Sequence, residues 1–354
     1  MGEWEKIKSD MRDILQEAYD PERFREMGHR LVDQLADQLK AVQERGGQAI
    51  PYVPPGEQRQ FWAEREASGP IALWQQVMER SVQLHHPRYM GHQVSPPAPV
   101  AMLSGLVDGF LNNGMAVYEM GMASTAIEQQ VVQTVAAAMG FGPGAGGILT
   151  SGGTLANLTA LLAARSAKAP GRVWAEGHRE PLALMVSEEA HYCVDRAVRI
   201  MGWGSEGIIK VPVDERYRMR TELLPGYLAK AESEGRRVIA VVGSACSTST
   251  GSFDDLSALA DFCEANDLWL HIDGAHGAAL AFSEQHRHIL RGMERADSVA
   301  MDFHKMLLMP VLATALLFRE ERQSYRTFSQ RAQYLWEGQT EEEWHNLAKR
   351  TFEC

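Results

Sequence analysis

Cysteine is scarce: Cys193, Cys246, Cys263 and Cys354 are the only four, and none stands in Cys-x-x-Cys spacing. A disulfide framework is therefore not expected, and free thiols in a reducing compartment are. Long apolar runs are missing as well. The uncharged stretch Met306 to Phe318 contains Pro310 and falls short of the roughly 20 residues a membrane helix needs. The start, Met-Gly-Glu-Trp-Glu-Lys, has no signal-peptide core, and Lys6 stands where a myristoylation motif has Ser or Thr. Lys and Arg form no cluster, and the net charge is -11. Neither nucleic acid nor an anionic membrane surface suits such a chain. No internal repeat or low-complexity tract is visible, and a cytoplasmic protein is the expectation.

What is present is globular in balance. The chain has 354 residues, 45% apolar and 23% charged, enough for one large domain plus a smaller one or an extension. Phe24, Met27, Leu31, Leu35, Leu39 and Val42 recur at three and four, which predicts an amphipathic helix stopped by Gly46-Gly47. Pro51 to Gly56 reads as an extended crossing and Ile71 to Leu84 as a second helix. These elements have no strands to cover, so residues 1–85 are expected to form a helical arm that packs on a partner subunit or on the main domain. After His85 to Gln93 comes a segment dense in Gly, Asn and Met that runs to Tyr118-Glu119 without a clear period, which reads as a loop that lines something or as plain surface. Ala126 to Met139 is expected to be helical.

A rhythm then sets in. Apolar strands are expected at Leu182 to Val186, Ile208 to Val213, Val238 to Val242, Leu268 to Ile272 and Ser298 to Met301. Helices Tyr192 to Met201, Thr221 to Glu234 and Leu256 to Asn266 alternate with them. The alternation predicts an α/β fold, a mostly parallel sheet with helices on both faces, whose ligands sit at the carboxyl ends of the strands.

Lys305 heads the long uncharged run. An amine forced into apolar surroundings loses its charge more readily and becomes a nucleophile for an imine, the chemistry of pyridoxal phosphate, although a lone lysine more often snorkels from a strand end. Gly142-Pro-Gly-Ala-Gly-Gly147 fits G-x-G-x-x-G but follows a helix, so it reads as a glycine-rich connection. Thr150-Ser151-Gly152-Gly153-Thr154 opens the expected helix Leu155 to Arg165 and forms either an anion cradle or an ordinary cap. Asp273 emerges at a strand end where a carboxylate can hold a protonated pyridine nitrogen, with Ala275 and Gly277 leaving room for a flat ring. His191 can stack on such a ring, and Thr248 offers a hydroxyl at the same edge. A rival reading takes His271-x-Asp273-x-x-His276 as a metal site of a hydrolase.

His191, the Ser-Thr-Ser-Thr-Gly-Ser-Phe-Asp run ending at Asp254, His271-Ile-Asp-Gly-Ala275 and Asp302-Phe-His-Lys305 together resemble the group II pyridoxal-dependent amino acid decarboxylases. His86-Pro-Arg-Tyr89 and the segment His286 to Ser298 are more similar to the glutamate, cysteine-sulfinate and diaminobutyrate branch than to the aromatic one. The resemblance implies the aspartate-aminotransferase-like fold type I, pyridoxal 5'-phosphate as cofactor, and a homodimer. It also implies a Schiff base at Lys305, a pyridinium partner in Asp273 and a ring stacker in His191. Ser151, Gly152, Gly153 and Thr154 would take the phosphate, with Thr248, Ala275 and His304 nearby. Tyr334 matches a mobile-loop proton donor, Gln93 a substrate-pocket glutamine, and Met115 and Tyr118 are candidates for the selecting walls. Many relatives read Asn-Pro-His-Lys where this chain has Asp302-Phe303-His304-Lys305, and a carboxylate beside a phosphate would repel it, so Asp302 is expected to point elsewhere. Residues 86–320 would be the cofactor domain, and 321–354 the start of a mobile loop and a small C-terminal domain that is cut short. The expected reaction is α-decarboxylation of an L-amino acid; a transaminase-like fold-mate, or a non-catalytic protein keeping the fold, is the alternative.

Overall fold

The computed structural model describes residues 3–65, 69–328, 345 and 347–352. Two units divide the chain, Met1–Pro96 and Pro97–Cys354. The first carries helices α1 (Glu3–Ala18), α2 (Pro21–Gln43), α3 (Pro55–Glu64) and α4 (Pro70–Glu79). Helix α2 starts where Asp20 accepts the amides of Glu22 and Arg23 at 2.8 and 3.3 Å, with Pro21 preset for the first turn. Helix α3 begins inside the proline crossing expected to be extended, because Pro55 also suits a first helical turn. This unit buries little: Val42 and His86 are enclosed, whereas Ile14, Phe24 and Tyr52 stay exposed.

The second unit opens with α5 (Pro99–Leu111), inside the stretch expected to be a loop. Its apolar residues run nearly all round, so no period betrayed a helix; Pro99 starts it, and Asn112 at φ 48° ends it. Then come α6 (Met122–Ala138), strand β1 (Gly146–Thr150), α7 (Gly153–Lys168), α8 (Val173–Glu176), β2 (Leu182–Ser187), α9 (Tyr192–Ile200), β3 (Ile208–Val211), α10 (Leu224–Ser233) and β4 (Arg237–Ser244). The chain continues through α11 (Leu256–Ala265), β5 (Trp269–Asp273), β6 (Ser298–Asp302), α12 (Phe303–Met306), β7 (Thr314–Phe318) and α13 (Arg322–Thr327).

The seven strands form one sheet in the order β1-β7-β6-β5-β4-β2-β3. All neighbours are parallel except those of β7, which runs antiparallel to both β1 and β6. No long crossover helix separates β6 from β7, and a short connection can only return the chain antiparallel. Neither β1 nor β7 was among the expected strands. The central strands read as unbroken apolar runs because both faces are covered. Met185, Val241, Ile272 and Leu317 point into one core, while Leu184, Val242, Ala300 and Leu316 point into the other. No helix among the described residues is long and apolar enough to cross a membrane.

Strand β1 closes the edge nearest the site, and its neighbours satisfy it on the outer side. Glu128 accepts the Leu149 amide at 3.0 Å, and the buried Arg350 donates to the Gly147 carbonyl at 2.9 Å. Gly147 faces Leu317, and a Cβ there would lie 2.3 Å from the Leu316 carbonyl oxygen. Gly147→Ala should therefore destabilise the fold by about 1–3 kcal/mol, read as a lower urea midpoint at constant m-value. An unchanged midpoint would mean that β1 can move away from β7 at little cost.

Candidate active site

The carboxyl ends of β1, β2, β4, β5 and β6 surround one cavity of about 470 Å3, inside the range of about 300–1,000 Å3 usual for small-molecule sites. Ser151, Gly152, Gly153 and Thr154, from the β1–α7 turn, line one wall. Gly152 sits at φ 148°, a conformation that side chains resist, and no side chain caps the helix that follows. The amide end of a sixteen-residue helix thus faces the cavity, as an anion requires. What looked like a glycine-rich connection, Gly142 to Gly147, instead feeds β1, the strand that carries this turn.

Asp273 ends β5, and its Oδ1 accepts the Ala275 amide at 3.2 Å while its Oδ2 accepts the Asn157 amide at 2.9 Å. Burial pushes the Asp273 carboxyl up, and the positive charge of Lys305 opposes that shift. His191 caps α9 and lines the cavity; burial draws its imidazole below 6.5, against the pull of Asp273. It therefore presents a neutral ring near pH 7. Thr248, Ala275 and His304 share the lining. The Nδ1 of His304 lies 3.0 Å from the Ala313 carbonyl oxygen.

Lys305 is not in the apolar setting its flanking sequence implied. Its Nζ lies 2.9 Å from Oδ2 of Asp302, whose side chain is 3% exposed. The other oxygen of Asp302 accepts the Thr314 hydroxyl at 2.5 Å. Asp302, expected to point away from the cradle, lies against it: a Cβ on Gly153 would stand 3.1 Å from Asp302 Oδ1. The charge is tolerated because Lys305 neutralises it. The Asp302-Phe-His-Lys305 pattern contained the signal, since a helical turn brings i and i+3 together.

The metal reading of His271, Asp273 and His276 fails on geometry. Both ring nitrogens of the fully buried His271 are taken, Nδ1 by the Ser298 hydroxyl at 2.9 Å and Nε2 by the Asn157 side chain at 2.8 Å. No group of side chains suited to a metal ion occurs among the described residues. Burial lowers His271 from 6.5 to about 4. The unfolded chain thus binds this proton at a higher pH than the folded one, so stability is complete above about pH 6.5 and falls as pH drops toward about 4. A loss of about 3 kcal/mol from this residue is expected across that window. Urea titrations of wild type and His271→Gln should converge there; parallel curves would overturn the assignment.

The remaining expected residues fall elsewhere. Met115 packs against the core and Tyr118 edges onto His345 at 5.5 Å between ring centroids, both outside the cavity lining. Gln93, half-buried, belongs to the first unit, and Tyr334 lies outside the described residues. Asn157, Cys246 and Leu312 line the cavity without having been singled out. Asn157 had a signal: it shares a helical face with Ala160, Leu161 and Ala164, a polar residue on an apolar stripe.

An anion cradle, a fixed carboxylate, a neutral aromatic ring and a primary amine in one cavity fit pyridoxal 5'-phosphate group by group. Comparison with known proteins agrees. An L-aspartate decarboxylase of Metarhizium robertsii is 32% identical over 86% of this chain, and the rat cysteine sulfinic acid decarboxylase is 33% identical over 78%. The chain spans 62% and 55% of the lengths of these two relatives. The crystal structure of mouse CSAD superposes with a TM-score of 0.87 at 28% identity, covering 95% of this chain and 71% of that one. Residues 74–348 match the profile of the pyridoxal-dependent decarboxylase conserved domain, a match that takes in every residue lining the cavity. The chain belongs to the pyridoxal-dependent decarboxylase family.

Proposed function

We propose that this protein converts an L-amino acid into the corresponding amine and carbon dioxide. The observation that carries the reading is that Asp273, at the end of β5, and Lys305, in the α12 turn that follows the adjacent strand β6, line one cavity with the Ser151 to Thr154 turn. Bound pyridoxal phosphate supplies an electron sink, taking up the electron pair that remains when the α-carboxylate departs. Lys305 would provide the amine that holds the cofactor's carbonyl carbon. Asp302 keeps the Lys305 side chain aimed into the cavity through its 2.9 Å contact. Asp273 holds the proton on the pyridine nitrogen, and His191 covers one face of the ring. The β1–α7 turn takes the phosphate, with Thr248 and His304 on its flanks. Tyr334 returns a proton to the α carbon.

Orientation decides which bond breaks, because the scissile bond has to stand perpendicular to the ring. The relatives act, by name, on L-aspartate and cysteine sulfinic acid, so short acidic amino acids lead the candidates. The same reading makes the protein a cytoplasmic homodimer in which each chain holds a helical dimerisation arm, 1–85, a large cofactor-binding domain, 86–320, and the start of a mobile loop and small C-terminal domain from 321. The exposed Val100, Leu106, Val107 and Phe110 of α5 support it, since a helix face this apolar calls for cover.

The purified protein is expected to be yellow, with a visible band that borohydride shifts, and to release carbon dioxide from at least one member of a panel of aspartate, cysteine sulfinate, glutamate and 2,4-diaminobutyrate. A band with no carbon dioxide from any amino acid, but with amino transfer to a keto acid, would replace the decarboxylase by a transaminase. A colourless protein that does not bind the cofactor would sink the reading entirely.

A further inference from the structure

Asp273 stands at the end of a buried row of polar groups. Trp269 Nε1 lies 2.9 Å from Ser298 Oγ, Ser298 Oγ lies 2.9 Å from His271 Nδ1, His271 Nε2 lies 2.8 Å from Asn157 Oδ1, and Asn157 Nδ2 lies 2.9 Å from Asp273 Oδ2. Trp269, Ser298, His271 and Asn157 are each at most 1% exposed. Water has little access to Trp269, Ser298 and His271, so the bonds among these three are obligatory.

The direction of every bond follows from chemistry. An indole nitrogen only donates, so Ser298 accepts from Trp269; because the Asn157 amide faces the Asp273 carboxylate, its carbonyl oxygen faces Nε2 of His271, which leaves Nδ1 to accept the Ser298 proton. His271, held neutral, then carries its proton on Nε2 and donates it to the Asn157 carbonyl oxygen. The Asn157 amide faces Asp273 because the opposite rotation would set two acceptors against each other. The second hydrogen of the amide points at Cys193 Sγ, 3.2 Å away. The thiol keeps its proton, because burial raises it to about 12. All donors thus point one way, toward the carboxylate, and such aligned bonds polarise one another.

We propose that Asn157, locked by the row Trp269, Ser298 and His271, is a positioning residue that fixes the rotamer of Asp273 and holds its carboxylate ionised for the pyridine nitrogen of pyridoxal phosphate. The need for it is physical. Asp273 is faced by Lys305, Asp302 and His191, as well as the Cys193 thiol, and burial alone favours its neutral form. A carboxyl that kept its own proton could not hold the pyridinium, and a donor at Oδ2 favours the charged form. Asn157 is suited to this because its amide donates without titrating.

The inference rests on Asp273 as the pyridinium partner, and the test separates the two ideas. Fluorescence titration with pyridoxal phosphate is run on wild type, Asn157→Leu and Asn157→Asp at about pH 8 and about pH 6, alongside circular dichroism for folding. Relative to wild type, the leucine variant should bind about tenfold to hundredfold more weakly at both pH values. The aspartate variant should be as weak at the higher pH and recover toward wild type at the lower, because a protonated carboxyl again presents a donor to Asp273. A role in packing alone predicts no recovery, and that result would overturn the proposal, as would wild-type affinity in both variants. If the leucine variant does not fold, the pH dependence of the isosteric aspartate variant decides by itself. Failure of Asp273→Asn to weaken binding, with both Asn157 variants impaired, would strike the pyridinium assignment instead and the inference with it.

Discussion

Lys305→Ala is expected to yield a colourless protein whose turnover falls by at least about 10^3-fold, because among the described residues no other primary amine lines the cavity. Truncation has a second effect that must be separated from the first. Asp302 is 3% exposed and pairs with Lys305 at 2.9 Å, so removing the cation leaves a buried carboxylate supported by Thr314 and the more distant His304 at 3.6 Å. Such broken pairs destabilise by about 3–5 kcal/mol when fully buried, and by less here, where Lys305 is 22% exposed. Lys305→Arg resolves the ambiguity: a guanidinium keeps the ion pair but is no nucleophile at neutral pH. Both variants should be inactive, and the arginine variant should unfold at a higher temperature than the alanine one. Retained activity in either would remove Lys305 from the chemistry.

Asp273→Asn should lower kcat/KM by about 10^2–10^3-fold, the range seen when one electrostatic partner of a developing charge is lost. The substitution keeps shape but removes the charge that favours a protonated pyridine nitrogen. It also sets an amide against the Asn157 amide, 2.9 Å away in the wild type, so the local bonding must rearrange. Cofactor affinity should drop alongside turnover. Measurement at saturating pyridoxal phosphate distinguishes the two, and turnover equal to wild type under that condition would rule out an electronic role for Asp273.

The strands β2, β4, β5 and β6 were legible because they are buried on both faces and so read as apolar runs, and β3, a partly exposed edge strand, by Ile208, Ile209 and Val211. Thr221 to Glu234 was legible as a helix but not in detail, since Pro225 sits at its start and the first turn, Thr221–Leu223, tightens to a 3-10 turn. β1 was hidden by its composition. Gly146 and Gly147 carry no strand signal; they are a strand because they pair with Phe318 and Leu317, where the Leu316 carbonyl leaves no room for a side chain at Gly147. β7 was hidden in the uncharged run, whose apolar residues could equally have been helix. At the site, residues that announce chemistry by type, Lys305, Asp273 and His191, were found readily, and the Ser151 to Thr154 turn by its glycines. Asn157 and Asp302 were not, because their roles depend on partners brought together by the fold: Asp273 and His271 for one, Thr314 across the β6–β7 ladder for the other.

The pairing of Gly146 with Phe318 imposes an order of assembly. As the chain leaves the ribosome, β2 to β6 can pair with one another as each is completed, but β1 has only β7 as a neighbour and must wait for it. Closing so long a loop is slow. Strand β1 carries the turn at Ser151 to Thr154, so the phosphate seat should be the last part of the sheet to become competent. Refolding monitored by cofactor capture should lag behind refolding monitored by the burial of Trp269 in the central strand β5.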